Sequence, residues 1–265
     1  MIHQAFADTA ARHRLLEGLL SRVSRHPDAE AFALRGGMLI RHWFSELRRP
    51  ARDVDLVCAL PFDLEAMRRR VKTILATEVD DGVRFEAERF RLDPIHVRTP
   101  HPGIRLFAVG RAELHDGPAA FGEISVDTTF SMPVFPAAQR ERIGLSRGEV
   151  TLQTCPAEML VGRKLQVLAQ LGPHHWRPKD LSDVWWMLER FELDLSRLAP
   201  AIERSFTGYD HAGLDEVLRA TWWSEPRAAT RWARYARRLP RAARRESPVG
   251  LAADVRARLR PLLDA

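Results

Sequence analysis

The sequence has few cysteines and no long apolar segment. Its two cysteines, Cys58 and Cys155, lie in unrelated apolar settings and lack the spacing of metal ligands, so we expect both to be small buried residues in a reducing compartment. No apolar run approaches the length of a membrane span, and the N-terminus has no signal-peptide pattern because charged residues occur in it from the start. These absences predict a cytoplasmic protein with no membrane partner.

Lysine is scarce although the chain is rich in positive charge. Of the 41 basic residues 38 are arginine, and the lysines are only Lys72, Lys164 and Lys179. In a chain with this bias a solvated positive charge is almost always an arginine. A lysine inside a functional motif therefore indicates a position that needs a compact ammonium whose pKa can shift, in place of a planar guanidinium.

Two short motifs follow one another in the first quarter of the chain. Residues 34–37 are Leu-Arg-Gly-Gly, and residues 53–56 are Asp-Val-Asp-Leu. Because glycine has no Cβ, a Gly-Gly pair lets backbone amides approach a phosphate. Two aspartates separated by one residue on a strand share a face of the strand and can hold one cation. Each motif occurs by chance in many proteins, but a strand over 31–34, a helix over 38–47 and a strand over 53–60 form a specific combination around them. The candidate residues are Arg35, Gly36 and Gly37 for the nucleotide and Asp53 and Asp55 for the metal.

This combination resembles the nucleotidyltransferase fold of the polymerase-β type. The signature of that fold is an apolar residue, Gly followed by Gly or Ser, a helix, Asp-x-Asp and then a third acid on another strand. Asp127 supplies a third acid in the β-like segment 124–128, where it shares a strand face with Ser125. The resemblance implies a Mg²⁺ site on Asp53 and Asp55, with Asp127 either completing a second metal site or accepting the proton of the nucleophile.

Two later segments are similar to the distal motifs of the AbiEii/AbiGii toxin family of nucleotidyltransferases. The family has a helix that carries a lysine, here residues 158–165 with Lys164, and then a basic residue and Lys-Asp-Leu-x-Asp opening the next helix, here 177–183. The match covers roughly residues 30–190. It implies that Lys164 neutralises charge on an NTP triphosphate and that Asp180 orients either Lys164 or the attacking hydroxyl. Lys179, at the helix start, either contacts the nucleotide or faces solvent.

The family resemblance also implies an acceptor and a partner. It favours a toxin-type enzyme that adds nucleotides to the 3′ end of tRNA and is restrained by a cognate antitoxin protein. One alternative keeps the chemistry but uses a small hydroxylated acceptor. Another is a non-catalytic member that only binds nucleotide, RNA or protein, although the intact Asp53, Asp55, Lys164 and Asp180 argue against it.

Pattern along the chain predicts an α/β (α+β) fold with a mixed sheet, followed by a helical domain. With 265 residues and 45% apolar composition the chain can bury a substantial core. We expect a catalytic domain over 1–145 and a helical domain over 146–265, whose first two helices supply part of the site, with a loop at 133–148 near the boundary. The expected helices of the first domain are 3–25, 38–48 and 63–76, and its further strands are 83–92, 104–112 and 123–130, separated by turns at 100–103 and 116–118. Later helices are expected to start near Pro156, Pro178, Leu195, Gly213, Pro226 and Pro248.

The net charge of +6 is a property of the C-terminal segment. Residues 219–265 contain twelve arginines and four acids, which leaves the first 218 residues slightly negative. Tryptophans and leucines alternate with the arginines at helical spacing, which is typical of a helix with a solvated basic face. Such a face beside a nucleotidyl-transfer site also fits a structured RNA substrate, because phosphate neutralisation supplies most sequence-independent affinity. The candidate RNA-binding residues are Arg231, Arg234, Arg237, Arg238 and Arg241.

Overall fold

The computed structural model describes residues 9–47, 51–114, 117–209, 213–245 and 247–263; the side chains of Thr9 and Ala242 are not described. The chain divides into two compact units, and each is described by itself. The first comprises residues 1–44, 50–133 and 138–154, and the second comprises residues 45–49, 134–137 and 155–265. The expected boundary between a catalytic domain over 1–145 and a helical domain over 146–265 stays a prediction.

The first unit contains three helices and a seven-stranded mixed sheet among the described residues. The sheet order is β3-β4-β5-β2-β1-β7-β6, with β2 parallel to β5, β1 parallel to β7 and the other neighbours antiparallel. The helices are α1 (Thr9–Val23), α2 (Gly36–Trp43) and α3 (Leu64–Ala76). The strands are β1 (Phe32–Arg35), β2 (Asp53–Cys58), β3 (Val83–Ile95), β4 (Gly103–Leu114), β5 (Gly117–Phe130), β6 (Gln139–Gly144) and β7 (Glu149–Thr154).

Local sequence explains several of these elements. Helix α1 carries Leu15, Leu16, Leu19 and Leu20 at helical spacing, and all four side chains are buried. Helix α3 begins after Asp63, whose carboxylate accepts a hydrogen bond from the Ala66 amide at 2.9 Å and thus satisfies a free donor of the first turn. Of the predicted helix at 3–25, residues 3–8 lie outside the described residues.

The second unit is helical. Its helices are α4 (Ala157–His175), α5 (Pro178–Arg190), α6 (Leu195–Phe206), α7 (Leu214–Arg219), α8 (Pro226–Ala236) and α9 (Pro248–Leu263). Each begins within one residue of the predicted start. Four of these starts are marked by a proline, which is favoured at the beginning of a helix because its missing amide is not needed there. Helix α4 is kinked at Gly172, which has a φ of 56° and precedes Pro173.

Two expectations about connecting segments are wrong, and one predicted helix has different bounds. The segment 133–148, expected to be a loop, contains β6, and β6 pairs with β7 as a hairpin. The helix predicted at 38–48 begins at Gly36 and ends at Trp43. Gly117 and Pro118, expected in a turn, belong to β5, whereas residue 116 lies outside the described residues. Strand β6 was missed because its exposed sequence Gln-Arg-Glu-Arg has the polar composition of a loop, as is common for an edge strand.

Both cysteines are buried, as expected. Within the described ranges, no helix is long and apolar enough to cross a membrane.

Candidate active site

The Gly-Gly turn connects β1 directly to α2 and packs against an aspartate of the neighbouring strand. Gly36 has a φ of +70°, which L-residues with side chains rarely adopt. A Cβ on Gly36 would lie 1.9 Å from Oδ2 of Asp55, whereas a Cβ on Gly37 would be 3.7 Å from Cβ of Ala51, an ordinary contact. The first glycine is therefore required both by the backbone and by the position of the Asp55 carboxylate.

The two aspartates of β2 lie beside the third acid. Strands β2 and β5 are parallel neighbours in which Asp55 is opposite Asp127 and Asp53 is opposite Ser125. Because side chains alternate along a strand, all four residues share one face of the sheet, and each is half-buried while Val54 and Val126 between them are buried. The structure thus brings together the three carboxylates that the motifs singled out.

Two arginines extend this set into a row across four strands. Arg35 of β1 is opposite Asp55, and Arg105 of β4 is opposite Asp127. Nε and Nη2 of Arg105 donate to the two carboxylate oxygens of Asp127, each at 2.7 Å, which is a bidentate ion pair. Nη2 of Arg35 donates to the Thr129 hydroxyl on β5 at 2.9 Å. The face therefore presents the lateral order Arg35, Asp55, Asp127, Arg105.

The neighbouring acids stabilise the charged form of Arg105. Hydrogen bonding to Asp127, followed by the negative charges of Asp127, Asp53 and Asp55, raises the pKa of Arg105 against the opposing effect of burial. Arg105 is a permanent cation within an acidic group of side chains. Sequence reasoning missed this residue, because the register between β4 and β5 is not visible in a single sequence.

The donor set of β2 fits a magnesium ion. Mg²⁺ prefers oxygen ligands and is commonly held by one or two carboxylates together with substrate phosphates and water. Asp53 and Asp55 provide two half-exposed carboxylates on one face. No group of three or more His, Cys, Asp or Glu side chains in the described part of the chain is arranged to hold a metal ion. The role of Asp127 as a third metal ligand stays a prediction, and both of its oxygens are bonded to Arg105.

In the second unit, Lys164 of α4 is held by two acids of α5. Its Nζ lies 2.9 Å from Oδ1 of Asp180 and 2.7 Å from Oδ2 of Asp183. All three side chains are largely buried, with Asp183 fully so. The motif over residues 177–183 ends at Asp183, but this aspartate is not among the site residues predicted from the sequence. Asp183 lies three residues after Asp180, so both side chains are on one face of the helix. This spacing could have identified Asp183 from the sequence.

Asp180 is ionised in spite of its burial. Desolvation by burial raises the pKa of Asp180. The positive charge of Lys164 lowers it by more, with help from the charge of Lys179, the hydrogen bond from Lys164 and the charge of Arg177, so the pKa lies below the usual value. Asp180 therefore accepts a hydrogen bond from the Lys164 ammonium as a carboxylate. Lys179 lies half-buried in the first turn of α5, and its positive charge acts on Asp180.

The C-terminal arginines divide into two kinds. Arg231 donates through Nη1 to the carbonyl of Trp176 and through Nη2 to the carbonyl of His174, both at 2.8 Å, so its guanidinium ties α8 to the end of α4. The other four candidates are exposed, while Trp232 and Leu239 are buried. The predicted helix with a core-facing stripe and a basic outer face is confirmed only up to Ala236, where α8 ends, and Arg237, Arg238, Leu239 and Arg241 follow it. The exposed candidates are Arg234, Arg237, Arg238 and Arg241.

The motifs and their geometry agree with one family of proteins. A family model described as the nucleotidyl transferase AbiEii toxin of type IV toxin–antitoxin systems matches residues 18–260. The chain belongs to this family. It is therefore a nucleotidyltransferase of the AbiEii toxin family, as the resemblance implied.

A crystal structure of an antigenic nucleotidyltransferase-like protein from Paracoccidioides brasiliensis is similar, with a TM-score of 0.43 and 13% identity over 71% of this chain and 86% of that chain. No curated protein matches.

Proposed function

We propose that this AbiEii family member is a Mg²⁺-dependent enzyme that transfers nucleotides from an NTP to the 3′ end of an RNA, with tRNA as the acceptor. The observation that supports the chemistry most strongly is the contact of Gly36 with Asp55. It joins a glycine turn, which suits a phosphate, to a pair of carboxylates, which suits a metal, in one small region.

The first unit has the parts that an NTP requires. Asp53 and Asp55 would hold Mg²⁺, which when bound supplies a Lewis acid that polarises the phosphoryl oxygens. The backbone at Gly36 and Gly37 forms the start of α2, where free amides and the helix dipole favour an anion. Arg35, at the N-cap position of that helix, adds a positive charge beside the triphosphate.

We propose that the second unit contributes Lys164 to the same reaction. Its ammonium would neutralise negative charge that develops on the leaving pyrophosphate, and Asp180 and Asp183 would fix its position. Lys179 would add positive charge for the nucleotide. The exposed arginines Arg234, Arg237, Arg238 and Arg241 would bind the RNA backbone. Membership of a type IV toxin family further suggests an antitoxin protein as a partner.

One experiment separates this proposal from its alternatives. Purified protein is incubated with each labelled NTP and Mg²⁺, in parallel with total tRNA or with small hydroxylated molecules, and label on each acceptor is measured. Label on tRNA supports the proposal, whereas label only on a small hydroxylated acceptor points to a different substrate. No transfer to any acceptor points to a non-catalytic member.

Two variants test the role of the β2 carboxylates. Asp53→Ala and Asp55→Ala should each lower transfer by at least about a hundredfold while the protein stays folded, because each removes a metal ligand. Asp93→Ala is the matched control, since Asp93 also lies on a strand but pairs with the exposed Arg91. Substantial activity in either of the first two variants contradicts the metal assignment.

A further inference from the structure

Arg105 and Asp127 form an ion pair that the signature motifs do not include. The pair is bidentate and uses Nε and Nη2 of the guanidinium. The side chain of Asp127 is 19% exposed, so that its carboxylate has limited access to water or to other partners. The two residues are opposite each other on β4 and β5, which sets their backbones at the spacing of paired strands.

The ion pair lowers the net negative charge of this acidic face. Three carboxylates on β2 and β5 would together attract two divalent cations. Arg105 neutralises one of them, and the charges of Asp53 and Asp55 also act on its guanidinium. A second divalent ion at Asp127 would have to approach a guanidinium whose nitrogens lie 2.7 Å from both oxygens, and like charges at such a distance repel strongly.

We propose that Arg105 takes the place of a second divalent cation, so that the site binds one metal ion through Asp53 and Asp55. Asp127 is then a positioning residue that holds Arg105, and it is not a metal ligand. This inference rests on the proposed function only in that Asp53 and Asp55 bind a divalent cation.

Binding of Mn²⁺ alone tests the inference without any measurement of activity. Free Mn²⁺ is measured by electron paramagnetic resonance while the full-length protein is titrated, which gives the number of bound ions and their affinity. The wild-type protein should bind one ion. Asp55→Asn should weaken that binding at least about tenfold, and Asp127→Asn should leave the number of ions at one and the affinity within about threefold.

Removal of the guanidinium should open the second position. Arg105→Gln leaves Asp127 as an unpaired carboxylate opposite Asp55, so this variant should bind a second Mn²⁺ ion, and the double variant Arg105→Gln with Asp127→Asn should bind one again. Arg111→Gln is the matched control, because Arg111 lies on the same strand and its guanidinium lies over the Phe121 ring. It should bind one ion like the wild type.

The outcomes separate this inference from the proposed function. If Asp127→Asn weakens Mn²⁺ binding as much as Asp55→Asn does, or if Arg105→Gln still binds a single ion, Arg105 does not replace a cation, and the metal assignment of Asp53 and Asp55 stands. If the wild-type protein binds no Mn²⁺, the metal assignment falls and this inference with it. Should Arg105→Gln fail to fold, the comparison of Asp127→Asn with Asp55→Asn decides alone.

Discussion

Asp55 and Asp127 lie directly opposite each other on the parallel strands β2 and β5, although they are far apart in the sequence. On one side Asp55 faces Arg35, and on the other Asp127 is held by Arg105. The charges along this row run positive, negative, negative, positive, so each aspartate has an arginine as its outer neighbour. Pairs of opposite charge on neighbouring strands are stabilising and offset the repulsion between the two aspartates. The acidic face of this nucleotidyltransferase is therefore stabilised in part by Arg105, which lies outside its signature motifs.

Replacement of Gly36 by alanine should disturb both the backbone and Asp55. The new Cβ would lie 1.9 Å from a carboxylate oxygen at a residue whose φ is +70°. We expect a loss of about 1–3 kcal/mol in the free energy of unfolding, measured by urea denaturation, because a non-glycine residue there is strained. Gly37→Ala, where the nearest atom is at 3.7 Å, is the control for stability and should lose less than about 1 kcal/mol. Equal stability of the two variants would contradict the close packing of Gly36 on Asp55.

Lys164 and Lys72 should respond very differently to replacement by alanine. Lys164→Ala leaves the buried acids Asp180 and Asp183 without their shared cation, which should cost about 3–5 kcal/mol of stability. Lys72 pairs with Glu88 at 2.6 Å on the surface, so Lys72→Ala should cost no more than about 1 kcal/mol. Chemical denaturation measures both.

A third variant at this position tests the need for an ammonium. Lys164→Arg should lose nucleotidyl transfer even where it folds, since the larger guanidinium cannot occupy the same position between two acids. Wild-type transfer by this variant would show that a positive charge alone is sufficient.

Asp180 should make stability depend on pH in the acidic range. Its pKa is lowered in the folded protein, so the unfolded state takes up its proton first as the pH falls. The stabilisation is complete above the unfolded value of about 3.9 and is lost as the pH falls through the lower folded value. The difference in unfolding free energy between wild type and Asp180→Asn should therefore shrink on acidification, by about 1.4 kcal/mol for each unit of the pKa shift. A difference that grows toward acidic pH would contradict this assignment.

Arg231 should matter for stability more than its exposed neighbours. It donates to two backbone carbonyls that would lose their partner, so Arg231→Gln should lower the unfolding free energy by about 1–3 kcal/mol. Arg234→Gln, at an exposed position of the same helix, should change it by less than about 0.5 kcal/mol. Denaturation of the two variants side by side measures the contrast, and equal losses would contradict a structural role for Arg231.

The exposed arginines should control the salt dependence of tRNA binding. Each phosphate contact contributes roughly 0.7–0.9 to the slope of log affinity against log salt. Replacement of Arg234, Arg237 and Arg238 by glutamine should reduce that slope and raise the KM for RNA, with little change in NTP affinity. The matched control replaces the exposed Arg69, Arg84 and Arg98 of the first unit, which changes the net charge equally. If both triple variants bind tRNA alike, these C-terminal arginines are only a solvated surface.

The sequence by itself determined the parts of the protein that depend on neighbours along the chain. Gly36 and the Asp53–Asp55 pair were found because their chemistry needs fixed spacings on a turn and a strand. Four of the six later helix starts were found because a proline stands at the beginning of the helix. Membership of the AbiEii family followed from the same local motifs.

Only the tertiary structure decided which distant residues meet. The pairing of Arg105 with Asp127 depends on the register of β4 against β5, and a single sequence contains no record of which residue lies opposite which. Strand β6 was missed because its polar residues form a strand only when β7 pairs with it. The shared contact of Asp180 and Asp183 with Lys164 likewise required α4 and α5 to pack together. Local chemistry is written in the sequence, whereas register and packing depend on contacts that form only when the chain folds.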